Sequence, residues 1–309
     1  MTEKLHLSAS PHIHTVRTVQ KIMLDVLIAL LPAVVAGIYF FGWDALFLIL
    51  ACTVTCVAGE FIFNLLRKSE QTVSDLSAAV TGVILALNLP ANLPIWQAVV
   101  GALFAIIIVK CLFGGLGCNI VNPAATARVF MLLAFGSMAK AAFPIGIDAA
   151  SGATPLVDIA NGKVPDLLDL FLGKCGGAIG ETSALALLIG GIYLLVRRVI
   201  SWHIPVAFIG SVFVLTFLVS GMDLTVATAS ILSGGLFIGA IFMATDYVTN
   251  PTTPAGHLVF GIFAGIITVF IRKWGVYPEG VSFAILLANI LNPYIDIWTA
   301  RRVFGGNKA

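Results

Sequence analysis

The chain has 309 residues, of which 59% are hydrophobic and only 10% charged, with a formal net charge of +2. A soluble domain is nearer a quarter charged, so no water-soluble core hides this much apolar surface and lipid is the solvent for most side chains. The small net charge and the lack of basic residues interleaved with aromatics exclude nucleic-acid binding, and five cysteines at irregular spacing give neither a disulfide framework nor a zinc pattern.

Residues 1–21 read as a polar arm, with Lys4, Ser10-Pro11-His12, His14 and Arg17, whose histidines are solvated. No cleavable signal precedes the first apolar run, which is therefore a retained span. About 20 apolar residues cross a bilayer, and helices are the open elements that satisfy their own backbone in lipid. The expected fold is thus an all-α polytopic membrane protein of about ten transmembrane helices, at 22–41, 45–66, 75–89, 95–113, 123–137, 183–200, 204–220, 224–244, 256–272 and 281–298. Five fall in a first half, 22–137, and five in a second, 183–309, on either side of a weakly hydrophobic loop at 138–182. Cys52 and Cys56, four apart, share a helix face and read as small core residues. Cys111 and Cys118 flank a glycine turn, where contact with a partner's cluster is the alternative.

With the N-terminus and C-terminus in the cytoplasm, eleven lysines and arginines lie at cytoplasmic ends and five outside, as the positive-inside rule requires. Arg272-Lys273 is the exception, and the 138–182 loop falls outside the cytoplasm. Val99, Gly101, Ile106 and Ile107 match Val259, Gly261, Ile266 and Ile267 at an offset of 160. Five spans separate these stretches, so the halves read as inverted five-helix repeats, an arrangement that builds midplane sites.

Charged groups at depth mark ion paths more often than structure. Glu60, within an apolar run, and Asp246, ahead of Tyr247, are the ion-pathway candidates; Asp25, Asp223 and Asp296 sit near span ends and read as interfacial, and His257 as a helix-end residue. In Asn122-Pro-Ala-Ala-Thr126-Ala-Arg128, the guanidinium has no acid nearby in sequence. It either snorkels to the interface or faces a polar cavity, where it suits a flavin phosphate or an anionic ring. Gly180-Glu181-Thr182 leads into the sixth helix after a glycine-rich turn. It reads as a phosphate seat or as helix capping by Thr182 or Ser183 with Glu181 beside the dipole.

Asp148, Ser151, Gly152, Ala153 and Thr154 lie in the longest weakly hydrophobic gap. Gly152 lets the backbone turn and Pro155 holds Thr154 extended. Taken alone, this stretch reads first as an ordinary surface turn, with an exposed attachment point for a phosphoester as the alternative. The same five residues match, without departure, the pattern that a flavin transferase reads when it moves FMN from FAD onto a protein hydroxyl. Together with Ser10-Pro-His12, Gly115-Leu-Gly-Cys-Asn-Ile-Val-Asn-Pro123 and Gly180-Glu-Thr-Ser183, they make the whole chain resemble the D subunit of the Rnf complex, a membrane ferredoxin:NAD⁺ oxidoreductase coupled to ion transport.

The resemblance implies FMN attached covalently to Thr154 outside the cytoplasm and a second, non-covalent flavin, riboflavin or FMN, within the bundle. It implies Na⁺ or H⁺ movement coupled to electron transfer, by a subunit of a multi-subunit translocase that is not catalytic alone. The implied partners are a second FMN-bearing subunit, iron–sulfur subunits and the flavin transferase, in a bacterial or archaeal cytoplasmic membrane. The related B subunit of the sodium-pumping NADH:quinone oxidoreductase shares these motifs and typically has a longer N-terminal extension. A small-solute channel with inverted repeats, or a structural anchor for other subunits, is the rival from another class.

Overall fold

The computed structural model describes residues 17–139, 142–145, 154–275 and 279–300. Among them all regular structure is helical, and one isolated antiparallel bridge joins Ala142 to Gly177. The helices are α1 (Val19–Phe41), α2 (Trp43–Arg67), α3 (Ser77–Leu87), α4 (Ile95–Cys111), α5 (Pro123–Ala134), α6 (Pro155–Ala160), α7 (Leu167–Leu172), α8 (Ala184–Val196), α9 (His203–Val219), α10 (Leu224–Leu232), α11 (Leu236–Met243), α12 (Pro254–Trp274) and α13 (Val281–Thr299).

Four of these, α1, α2, α12 and α13, are long and apolar enough to cross a membrane, and α10 with α11 makes a fifth if the bent pair counts as one span. The protein is therefore a multi-pass membrane protein. Leu31, Val35 and Tyr39 on α1 and Phe47, Val54 and Leu66 on α2 are exposed, as lipid-facing side chains are. The stretches at 75–89, 123–137 and 183–200 contract to helices of 11, 12 and 13 residues, because each meets a polar loop that turns inward rather than running to the surface.

Local chemistry sets the helix ends. Asn122 caps α5 by accepting from Ala125 N, with Pro123 at the first helical position, where the missing N–H costs nothing. Ser183, not Thr182, caps α8 through Ala186 N. Asp223 and Thr253 cap α10 and α12. The expected continuous span at 224–244 is broken: α10 and α11 meet at 64° across Ser233-Gly234-Gly235. Gly234 has φ +70°, a backbone that residues with a Cβ adopt only at a cost.

α2 packs between α3 and α4, α9 runs along α12, and α12 lies on α13; α1 meets α8, and α5 meets α13. Polar contacts mark two faces. On the proximal face Arg17 Nη1 and Nη2 donate to the carbonyls of Arg198 and Arg197 at the end of α8, and Thr253 bonds Thr299. On the distal face Ile145 N donates to Phe40 O near the end of α1. Leu30, Leu85, Leu87, Met131, Ile179, Phe208 and Phe260 fill the core between the faces.

Candidate functional site

The centre of the bundle is held by one buried cation. Arg128, on α5, is 5% exposed, and its Nη2 donates to both Glu181 Oε1 and Glu279 Oε2. Its Nη1 donates to Asn88 Oδ1 at 2.9 Å and Ser282 Oγ at 3.5 Å. Asn88 can serve because its own amide donates to Ile84 O at 2.7 Å, which ends α3 and turns the carbonyl oxygen toward α5. The turn carrying Glu181 is pinned to the same place by Gly180 N on Leu87 O at 2.7 Å and Ile179 N on Leu89 O at 3.0 Å. Snorkelling is thus excluded for Arg128: Asn88, Glu181 and Ser282 lie in the interior, and removing both carboxylates would strand a buried charge. An anionic flavin at this guanidinium would have to displace a carboxylate.

The other residues singled out nearby have local roles. Asn122 Nδ2 donates to Met243 O at 3.0 Å, tying α5 to the end of α11, and Thr126 Oγ1 returns to Asn122 O at 2.7 Å. Thr182 Oγ1 bonds Ile179 O at 3.2 Å within its own turn. Sequence reasoning missed Glu279 and Ser282, which reach Arg128 from 151 and 154 positions away; the one signal was an acid beside glycine ahead of a span.

Thr154 opens α6 in an extended conformation (φ −63°, ψ 148°), as the following proline demands, and its side chain makes no cap bond. Its Oγ1 is buried and has no hydrogen-bond partner among the described residues, an arrangement that costs about 1–3 kcal/mol when left unmet. A cavity of about 380 Å³ runs along the α6 helix that Thr154 opens, bordered by Leu156, Thr216, Ser230, Arg272 and Lys273 but not by Thr154 itself. Arg272 donates to Ser230 O at 2.7 Å and Ser233 O at 3.1 Å. The charge that broke the positive-inside pattern thus closes the carbonyls at the end of α10. Asp148, Ser151, Gly152 and Ala153 lie outside the described residues.

The break in the eighth span connects these features. A Cβ on Gly234 would come within 2.7 Å of Leu156 Cδ1 and 3.2 Å of Arg272 Nη2, and one on Gly235 within 2.8 Å of Arg128 Nη1 and 3.0 Å of Glu181 Oε1. Adjacent glycines therefore let the Thr154 segment and the Arg128 cluster approach the same point of backbone.

A second cluster lies toward the proximal face. Glu60, on α2, is 1% exposed; its Oε2 accepts from Lys110 Nζ at 2.9 Å and its Oε1 from Thr72 Oγ1 at 2.6 Å. Lys110 also donates to Ser77 Oγ. The sequence counts this lysine among the charges at cytoplasmic span ends; it is buried there, at the end of a π-helical stretch, Phe104–Cys111, a distortion frequent at functional sites. A second π-helical stretch, Gly239–Met243, precedes Asp246. Asp246 accepts from Thr249 Oγ1 at 3.4 Å and borders, with Lys110, a cavity of about 90 Å³. So Lys110 bonds one of the candidate acids, Glu60, and shares a cavity with the other, Asp246. The acids read as interfacial have partners there: Asp25 pairs with Arg197 at 3.2 Å, and Asp296 accepts from Thr252 N at 2.8 Å. His257 approaches Ser201 Oγ at 3.3 Å in the first turn of α12.

These features define a multi-pass helical membrane protein with two separate buried charge clusters and a threonine hydroxyl that has no partner among the described residues. The chain belongs to the NQR2, RnfD, RnfE family, whose model matches residues 6–305. It is 46% identical over 310 residues to the D subunit of the Na(+)-translocating ferredoxin:NAD(+) oxidoreductase complex of Acetobacterium woodii, covering 98% of this chain and 96% of that one. It is 38% identical to the D subunit of the proton-translocating ferredoxin:NAD(+) oxidoreductase complex of Clostridium ljungdahlii (97% and 96% covered). It is 37% identical to the D subunit of the ion-translocating oxidoreductase complex of Salmonella typhimurium (98% and 99% covered).

Proposed function

We propose that this chain is the membrane subunit of an ion-translocating ferredoxin:NAD⁺ oxidoreductase complex and carries FMN as a phosphoester on Thr154. The near full-length likeness to subunits of such complexes supports the first part. The observation that carries the second is the Thr154 hydroxyl, set in a complete attachment motif and buried without a partner among the described residues. A threonine in a capping position ordinarily accepts from the backbone; this one does not. A phosphoester oxygen has no hydrogen to donate, so esterification removes half of that unmet demand.

The surroundings fit the group. The adjacent cavity of about 380 Å³ is within the usual size of cofactor sites, and Arg272 and Lys273 at its rim supply positive charge suited to a phosphate or a reduced, anionic ring. Bound FMN supplies the electron-transfer chemistry, and the protein sets its position and electronics. Thr154 Oγ1 tethers the phosphate; the Leu156 and Val157 wall excludes water. A second, non-covalent flavin, riboflavin or FMN, belongs to the same reading.

In this reading the chain makes ten passes in two inverted halves, with the proximal face and both termini in the cytoplasm and Thr154 outside it. The recurrence of helix pairings supports the duplication: the second and fourth spans pair in each half (α2 with α4, α9 with α12), as do the fourth and fifth (α4 with α5, α12 with α13). Glu60 and Asp246 line the path of the translocated Na⁺ or H⁺, since acids at depth bind or relay cations.

The test is the chemistry of Thr154. A denatured, washed gel band should fluoresce under ultraviolet light, and mass spectrometry of the peptide containing Thr154 should find an added FMN. A colourless polypeptide, or fluorescence that survives Thr154→Ala, would overturn the assignment. A channel carries no such group, and a mere anchor would keep full electron transfer in the same variant. Oxidation of ferredoxin, rather than reduction of quinone, by the reconstituted complex separates the Rnf-type subunit from its relative in the NADH:quinone enzyme.

A further inference from the structure

The proximal cluster contains an imbalance of charge. Glu60 is enclosed by Lys110, Thr72 and α2 itself, and Lys110 is equally enclosed, at 2% exposure. Asp246 faces the same small cavity as Lys110, together with Ser77, Thr81, Asn119 and Thr245, and among the described residues Lys110 is the one cation acting on it. Two carboxylates thus share a single ammonium. Asp75, half-buried like Asp246, accepts from Ser77 Oγ at the start of α3 but does not border this cavity, so it stands outside this sum. The remaining ionisable neighbours are the thiols of Cys56 and Cys111 and the phenol of Tyr247, all neutral in their ordinary state. Glu60 is fully buried and Asp246 half-buried, and a carboxylate removed from water without a cation is costly in proportion to its burial. The set is therefore short of one positive charge.

Both carboxylates have oxygen-rich surroundings suited to a small cation. Around Glu60 stand Thr72 Oγ1, Ser77 Oγ and, one bond further, Asn64, whose amide donates to Thr72 Oγ1 at 3.0 Å. Thr72 is exposed at the proximal face, which gives Glu60 a route to water. Around Asp246 stand Thr249, Thr245 and Asn119. Lys110 sits where α4 has left regular α-helical geometry, on a flexible four-carbon stem with three rotatable donors.

Resting on the reading that this chain moves a cation, we propose that Lys110 is a tethered, displaceable counter-ion: its ammonium exchanges between Glu60 and Asp246 across the cavity, and the carboxylate it leaves takes one monovalent cation, Na⁺ or a proton. In the arrangement seen, Lys110 holds Glu60, and Asp246 is the open position. When the ammonium crosses, Glu60 opens toward Thr72 and the proximal face. Each exchange binds one cation at one acid and releases one from the other, so the total charge of the set stays constant. The lysine is a positioning residue that keeps both acids from being filled, or empty, together.

The experiment uses the whole complex in proteoliposomes, with labelled sodium uptake and internal acidification measured per NADH formed from reduced ferredoxin. Lys110→Met removes the competing charge. The expected result is a fall of at least about tenfold in cations moved per NADH, with the half-saturating cation concentration also lowered by about tenfold, the scale of truncating one member of a buried charge pair. Glu60→Gln/Lys110→Met, which leaves no unpaired charge at Glu60, guards against misfolding and should show the same loss of coupling. Wild-type stoichiometry and cation dependence in either variant would overturn the exchange. A wild-type complex that moves neither sodium nor protons would instead overturn the ion-moving reading beneath it. The sodium and acidification arms report which cation is taken.

Discussion

Arg128 on α5 and Glu181 ahead of α8 form an ion pair across 53 positions, and Glu279, 151 positions from Arg128, completes it. One guanidinium thereby joins the fifth helix, the turn that closes the long loop, and the start of the last helix. Arg128→Met leaves the buried Glu181 carboxylate and the half-buried Glu279 without their shared guanidinium, and about 3–5 kcal/mol of stability should be lost. Replacing both acids by glutamine in the same chain should recover most of it. The melting temperature of the purified complex, followed by size-exclusion after heating, measures both. A single variant as stable as the wild type would mean that the cluster is not structural.

The adjacent glycines of the broken span should differ in their tolerance of alanine. Gly234→Ala meets a left-handed backbone at a cost of about 1–2 kcal/mol and an apolar neighbour, Leu156. Gly235→Ala intrudes on Arg128 and Glu181, whose charges have no other place to go. The second substitution should therefore lower the melting temperature more than the first, and the reverse order would contradict the crowding described at Gly235.

Arg272 faces the cavity beside Thr154 while it closes Ser230 O and Ser233 O. If the tethered flavin occupies that cavity, loss of this charge disfavours its reduced, anionic form. Arg272→Gln should lower the midpoint potential by about 30 mV, equivalent to about 1.4 kcal/mol for a two-electron couple. A spectroscopic redox titration of the purified protein reads this directly; an unchanged potential would place the ring elsewhere.

The cysteines should separate by reactivity. Burial pushes the Cys175 thiol up to about 12, and the charges of Glu181 and Asp169 add to the effect. The thiolate is the reactive form, so Cys175 has almost none of it at neutral pH, whereas Cys118 is exposed. Maleimide at about pH 7.5, below the ordinary thiol range, should label a variant that retains only Cys118 and leave one that retains only Cys175 unmodified over the same interval. Rapid labelling of Cys175 would show that the turn before α8 opens readily.

The long apolar runs were legible in sequence because burial in lipid imposes little more than length and hydropathy. The caps at Asn122 and Ser183 were legible because their chemistry is local. The break at Ser233-Gly234-Gly235 was not, since two glycines barely lower the hydropathy of a run that continues on both sides. Lys110 read only as a charge at the cytoplasmic end of the 95–113 span, because its partner, Glu60, lies 50 positions earlier on another helix. The same reason hid Glu279: ion pairs across helices leave no periodic trace. The attachment motif around Thr154 was visible as a short linear pattern, but the missing cap bond and the neighbouring cavity depend on how α6 docks against α10 and α12.

The shortness of the central helices has an electrical consequence. α3 has 11 residues and α5 has 12, about 17–18 Å of helix against an apolar bilayer core of about 30 Å. Polar turns carrying Asn88 and Glu181 begin where these helices stop. The insulating layer is thinner along the axis of the bundle than at its rim, and the membrane voltage drops more steeply there. A charge displaced along that axis does the same work, about 2.3 kcal/mol per 100 mV for a full crossing, over a shorter journey.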